Sequence, residues 1–400
     1  MNRRLTLLAL ALTTSALTGS AHAATLTVWT HFNDKAEVAW LSSQIKTYQG
    51  ISGNTVKVVN IPLDKIVDQL LKTAKQGQGP DVIVTLPQDR IGQLAQAGVI
   101  EPLSSTSRRS EFDQTTVRAL TVGGKLYGLP MFAESVALVY NKKLVPSAPL
   151  TWADFLKAAK RNTNAAAGRY GFLTDLSNAY MNYGFFSAYG SYVFGEQAGT
   201  LDVRDIGLNN SGARKALSLM NDLRFREKLV PTGMTGDKVK AAFLSGKAAM
   251  IVTGPWDMGD IKKAGINYGI TSVPTPPGAT GRWSPFVGVQ GVVLNAYGTQ
   301  KATATQFAEG LVTSVAQLSF NQAGGRIPVN IGVRLRLAGN PVVAGFGRII
   351  SGGTPMPNVP AMGQVWGPWS DAVNASVQKP AQDYAALLDT AVKAMEKGIK

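Results

Sequence analysis

Three placements of charged side chains in this sequence could do polar chemistry. Asp34-Lys35 and Asp89-Arg90 each follow an apolar β-like run, and Glu134 stands alone inside the extended stretch Met131 to Tyr140. A carboxylate within such a run must be paired, hydrogen-bonded or turned to a cleft. Asp89 beside Arg90 reads either as a surface ion pair or as two groups facing a hydroxyl-bearing ligand. Asn33 or Asp34 could cap the helix that follows; Asp34 and Lys35 read either as cap and solvated charge or as polar groups at a strand's C-terminal end. Two acids such as Asp89 and Glu134 also admit glycoside hydrolysis. The aromatic residues form a second set. Trp256 follows the apolar run Ala248 to Val252 and the break Thr253-Gly254-Pro255. It either packs a helix onto a sheet or lines the ligand crevice beyond the strand end. Tyr180, Tyr183 and Ser187 share one helix face, with Asn178 nearby, and that face could line a cleft. Phe185, Phe186, Tyr189 and Tyr192 lie mostly on the other face. Trp366 and Trp369 stand i, i+3 at a helix start whose first turn contains Gly367-Pro368.

Composition narrows the chemistry. There is no cysteine, so disulfides, thiolate metal sites, cysteine nucleophiles and a lipidated cysteine are excluded. Of two histidines, His22 falls in the leader, and His31 alone cannot supply both a Ser-His-Asp triad and a metal site. No cofactor or metal is expected. The net charge is +15, yet the basic pairs, such as Arg108-Arg109 and Lys142-Lys143, are scattered and none extends to a third. A nucleic-acid surface needs a basic stripe with interleaved aromatics, so that partner is set aside. Gly77-Gln-Gly-Pro80 lacks the GK[ST] of a phosphate loop. Arg3 and Arg4, the apolar Leu5 to Leu17 and Ala21-His22-Ala23 read as a signal peptide over residues 1–23, with the mature chain from Ala24. The expectation is a soluble periplasmic or extracytoplasmic protein, without a lipid anchor and monomeric.

The elements that must position these groups alternate. Strands are expected at Thr25 to Trp29, Val56 to Ile61 and Asp81 to Val84, with helices at Glu37 to Tyr48, Leu63 to Gln76 and from Arg90 to Ala97. The order β-α-β-α-β-α argues for an α/β fold with a parallel sheet and right-handed crossovers. Further on, Thr151 caps a helix with Asp154 at the capping-box position. Helices follow at Asn210 to Lys228, Asp237 to Ser245, Thr303 to Asn321 and Ala381 to Lys397. Phe286 to Leu294 reads as a Gly- and Val-rich strand.

Several short stretches then share an order and spacing with a known family. Gly246-Lys-Ala-Ala-Met-Ile-Val-Thr-Gly-Pro-Trp256 resembles the "GetAM…GPW" stretch of the maltose/maltodextrin-binding proteins of bacterial ABC importers, which are family 1 solute-binding proteins. So do Asn267-Tyr-Gly-Ile with Val273-Pro274-Thr275, Pro285-Phe-Val-Gly-Val289, and Met356-Pro-Asn-Val-Pro360 followed by Trp366. Gly79-Pro-Asp81, Asp89-Arg90, Ala133-Glu134 and Tyr140-Asn-Lys142 match in the same order.

The resemblance spans Thr25 to Lys400. It implies a two-lobed periplasmic binding protein fold of type II, each lobe a mostly parallel sheet flanked by helices, with a multi-strand hinge at about Glu134, Val289 and Leu335 to Val342. The N-terminal lobe would hold residues 24–133 and 290–338, the C-terminal lobe 134–289 and 339–400. By position, Asp34, Lys35, Asp89, Arg90 and Glu134 look like polar sugar ligands, and Tyr180, Trp256 and Trp366 like stacking residues. Three places depart from the family. Thr85-Leu-Pro-Gln88 carries one extra residue and lacks an aromatic. Asn178 stands where the family has an acid. Gly367 replaces a tyrosine, while Trp369 lies three residues beyond Trp366. The implied function is to bind maltose or maltodextrin between the lobes, without catalysis, and to deliver it to the permease. Trehalose, sucrose or another solute on the same fold is the alternative.

Overall fold

The structure is a computed structural model and describes residues 23–103, 108–197 and 200–399. The signal peptide expected over residues 1–23 lies, but for Ala23, outside them. The β-branched run Thr25–Thr30 forms the strand expected of it. It pairs in parallel with Thr55–Asn60 on one side and Val82–Pro87 on the other. Helices Lys35–Ser52 and Leu63–Thr73 make the crossovers. The resulting seven-stranded sheet runs in the order Ile327–Pro328, Gly128–Glu134, Phe286–Leu294, Val82–Pro87, Thr25–Thr30, Thr55–Asn60, with Thr354–Pro355 added to one end of Phe286–Leu294.

The second sheet has Ala137–Asn141 at its centre, antiparallel to both Met250–Thr253 and Tyr268–Thr271. The neighbouring segment around Tyr170 and Leu173 bridges Ala248 and Ile251 in parallel. Both sheets are mixed: in the first, Thr25–Thr30, Thr55–Asn60, Val82–Pro87 and Gly128–Glu134 run one way and Phe286–Leu294, Ile327–Pro328 and Thr354–Pro355 the other. Phe286–Leu294, where the chain returns from the other lobe, is antiparallel to Val82–Pro87 and Gly128–Glu134.

Two expected elements divide. Met131 to Tyr140, a single extended run by sequence, is two strands in two sheets, Gly128–Glu134 and Ala137–Asn141, parted at Ser135-Val136. Thr303 to Asn321, a single expected helix, is two, Lys301–Leu311 and Ser314–Gly324. The second is started by Thr313, whose hydroxyl accepts from Ala316 N at 3.2 Å, satisfying an otherwise orphaned amide.

Burial separates into two cores. One gathers Leu26 through Ala133 together with Val289 through Val329; the other gathers Val136 through Phe286 with Val342 through Met395 and Ile327. Phe286–Leu294 contributes Phe286 to the second core and Val289 to the first, so this one strand ties both lobes.

The extra residue of the Thr85–Gln88 segment has a physical home. Gly291 and Val293 face Leu86 and Ile83, so two steps on one strand oppose three on the other, a β-bulge. Thr85 takes up the slack at φ 68°, a conformation unusual for a β-branched residue. The bulge aims Gln88 across the lobes. Its side chain accepts from Val289 N at 2.9 Å and donates to Met356 O.

Candidate ligand-binding cleft

The strand end at Thr253 carries the aromatic wall of the cleft. Gly254 and Pro255 stop the strand, and a short 3-10 turn, Pro255–Asp257, holds Trp256. The indole lies across Gly254: a Cβ there would stand 2.2 Å from the ring. Tyr180, on helix Ala179–Ala188, follows at 6.4 Å between ring centroids, then Phe286 at 6.2 Å and Trp366 at 6.0 Å. Trp256, Tyr180 and Trp366 are each half-buried. Phe286 is buried and stacked on Tyr183, 3.6 Å between centroids and 2° between planes. Burial pushes the Tyr183 hydroxyl up to about 12, and that of Tyr180 far above its usual value, so both rings stay neutral.

The polar wall comes from the first lobe. Helix Gln88–Gln96 puts Asp89 and Arg90 in its first turn. Asp89 is 3 % exposed; its Oδ2 accepts from Trp366 Nε1 at 2.7 Å and lies 3.1 Å from Arg90 Nε. Burial raises the Asp89 pKa, opposed by the Arg90 charge and the indole N–H. The Arg90 guanidinium stands 5.8 Å from the Trp366 ring centre. Asp89, Arg90 and Trp366, separated by most of the sequence, thus form one cluster.

Glu134 stands at the end of its strand, 8 % exposed. Its Oε1 accepts from Gln290 Nε2 at 2.8 Å and its Oε2 from Arg326 Nη1. Arg326 was not singled out from sequence. It is buried, donates through Nε to Glu37 as well, and its guanidinium lies 4.6 Å from the Phe132 ring centre and 5.5 Å from that of Trp256. Burial works against its charge, but Glu37 and Glu134 outweigh it and hold Arg326 protonated. Burial raises Glu37. His31 beside them is lowered to about 4 by burial and by the Arg326 charge, and stays neutral at pH 7.

A cavity of about 260 Å³ opens on the outer side of Trp256, lined among others by Asn33, Asp34, Asn178, Asp237 and Arg326. Asp34 is also the helix cap, accepting from Ala36 N at 2.8 Å and Glu37 N at 3.3 Å, so both readings of this residue hold in geometry. Asn178 likewise caps Ala179–Ala188, accepting from Met181 N at 3.2 Å.

Two expected site residues stand apart. Lys35 is exposed in the first turn of its helix and is not among the cavity's lining residues. Trp369 is fully buried, stacked behind Trp366 at 5.7 Å and edge-on to Phe186 and Tyr183. Its i, i+3 spacing from Trp366 does place both on one side of the helix, but the core takes Trp369 and only Trp366 reaches the cleft.

The arrangement is a row of aromatic faces against a charged rim at the junction of two lobes. A family model described as bacterial extracellular solute-binding protein matches residues 43–343. The chain belongs to that family. Its fold is that of the Thermus thermophilus maltotriose binding protein bound with maltotriose, at a TM-score of 0.90 and 43 % identity over 94 % of this chain and 100 % of that one. It is 33 % identical to the maltodextrin-binding protein MdxE of Bacillus subtilis, over 78 % of this chain and 76 % of the relative. It is 29 % identical to a galactooligosaccharide-binding protein of the same organism, over 96 % and 92 %. Among the described residues no helix is long and apolar enough to cross a membrane.

Proposed function

We propose that this chain is the extracytoplasmic receptor of an ABC sugar importer, holding a maltodextrin between its lobes and presenting it to the permease. The observation that carries the sugar is the aromatic row Trp256, Tyr180, Phe286, Trp366 set against Asp89 and Arg90. A pyranose has a C–H-rich face for the rings and a rim of hydroxyls for the charges. Bonds to ionised groups are stronger than neutral ones, so the rim distinguishes hydroxyl geometry. Asp34 and Asn178 extend that rim around the cavity beside Trp256.

The proposed ligand set is Asp34, Asp89, Arg90, Tyr180, Trp256 and Trp366, with Glu134 behind them; Lys35, exposed and outside the cavity lining, is left as a solvated charge. Maltodextrin is favoured over galactooligosaccharide, trehalose or sucrose by the names of the more similar relatives. The lobes are residues 24–133 with 290–338, and 134–289 with 339–400; the partition of the buried apolar residues supports this division. Binding proteins of this architecture close about a hinge, and the closed form is what the permease reads. The protein performs no catalysis, acts as a monomer and is released without a lipid anchor, since the sequence holds no cysteine to carry one.

Calorimetric titration with maltose, maltotriose, maltotetraose, trehalose, sucrose and a galactooligosaccharide tests the assignment. Saturable heat with the maltodextrins is expected. Heat with another sugar alone refutes it, and release of glucose from incubated maltotriose refutes the absence of catalysis.

A further inference from the structure

Arg326 sits where the two lobes meet, and its guanidinium plane is fixed from two sides. Nε donates to Glu37, on helix Lys35–Ser52, and Nη1 to Glu134, at the end of Gly128–Glu134. Gln290 holds Glu134 in turn at 2.8 Å. The plane so fixed lies between two rings, Phe132 of the first lobe at 4.6 Å and Trp256 of the second at 5.5 Å. Trp256 packs on the edge of the second core and over Gly254, is half-buried, and meets Tyr180 at a tilt of 45°; Arg326 is the charged group over its ring. A guanidinium over an indole is attractive and planar, and so restrains the ring's tilt. A lysine would keep the charge and lose both the fork and the flat surface.

We propose that Arg326 is a positioning residue for sugar binding: clamped by Glu37 and Glu134, it sets the Trp256 ring at the angle that receives a pyranose face. This rests on the cleft being a maltodextrin site. It also gives Glu134 a defined task, since both its oxygens are engaged by protein groups.

The test is a double-mutant cycle on maltotriose affinity with R326Q and W256A. R326Q is expected to weaken binding about tenfold in the native background and by threefold or less in the W256A background, because the effect passes through the ring. A loss of threefold or less in the native background overturns the proposal. So does an equal loss in both backgrounds, as a general structural role would give. R326K is expected to follow the same pattern more weakly, and supplies the answer if R326Q does not fold. A second readout needs no sugar. Acrylamide quenching of the Trp256 emission, taken as the difference from W256F, is expected to rise about twofold in ligand-free R326Q or R326K; unchanged quenching overturns the proposal. Should the unmodified protein bind no maltodextrin, it is the assignment of the cleft that fails, while the quenching result still decides the role of Arg326.

Discussion

Replacing Trp256 by alanine removes one wall of the cleft without removing a charge. Arg326 lies over the indole at 5.5 Å and Tyr180 flanks it at 6.4 Å, and the part of the ring that lines the cavity is what a sugar can cover. Covering that part hides about 40 Å² on the ring and about 40 Å² on the pyranose, and at about 25 cal/mol per Å² this is about 2 kcal/mol. Truncation of aromatic anchors in binding sites commonly costs this much or more. At about 1.4 kcal/mol per decade, the dissociation constant for maltotriose rises about 30-fold. Calorimetry at 25 °C and pH 7 reads it, with far-ultraviolet circular dichroism to establish that the variant is folded. A dissociation constant within threefold of the unmodified protein would refute the reasoning. Trp256 would then be a packing residue at a strand end, the other reading its sequence position allows.

Four further outcomes follow from the same geometry. Asp89→Asn should weaken maltotriose binding at least tenfold, because a charge-assisted acceptor contributes about 1.5–3 kcal/mol; calorimetry showing no change would remove Asp89 from the site. Because burial raises the Asp89 pKa, sugar affinity should begin to fall at a higher pH than an ordinary carboxylate would give. The stability contribution of this group has the opposite sense, being fullest below its unfolded pKa and lost as pH rises through the raised folded value. Affinity that stays level from pH 7 to pH 4 would contradict this. His31 is a base with its folded pKa depressed from 6.5 to about 4. Its contribution is present above 6.5 and lost as pH falls toward 4, by up to about 3 kcal/mol, and His31→Gln should flatten that part of the thermal-stability profile. Gly254→Ala should cut sugar affinity while leaving a folded protein, because a Cβ 2.2 Å from the Trp256 ring displaces the ring and leaves the strand in place; unaltered affinity would show that the ring does not need that space.

Local regularity made much of the fold readable from sequence. Strand Phe286–Leu294 occupies the expected residues, because its β-branched Val287, Val289, Val292 and Val293 favour extended backbone. Helix caps at Asp34 and Thr151 are likewise short-range, each accepting from amides two or three residues on. Charged pairs after strand ends, and a tryptophan after a Gly-Pro break, marked most of the cleft wall, because ligands of open α/β sheets gather at strand ends.

Tertiary structure decided what those signals left open. Periodicity cannot say in which sheet a residue pairs, so Met131 to Tyr140 looked continuous although it crosses between lobes at Ser135-Val136. Trp366 and Trp369 are alike in sequence, and only packing against Phe286, Phe186 and Tyr183 buries the second. Arg326 carried one faint signal, a charge opening the apolar run Ile327-Pro328-Val329. Its partners Glu37 and Glu134 lie 289 and 192 residues away, and no short-range pattern encodes a contact of that span. The sequence by itself determined which groups could meet a sugar, because those groups are set by strand ends, caps and breaks. Only the meeting of two lobes decided which of them face one cleft, and which hold the others in place.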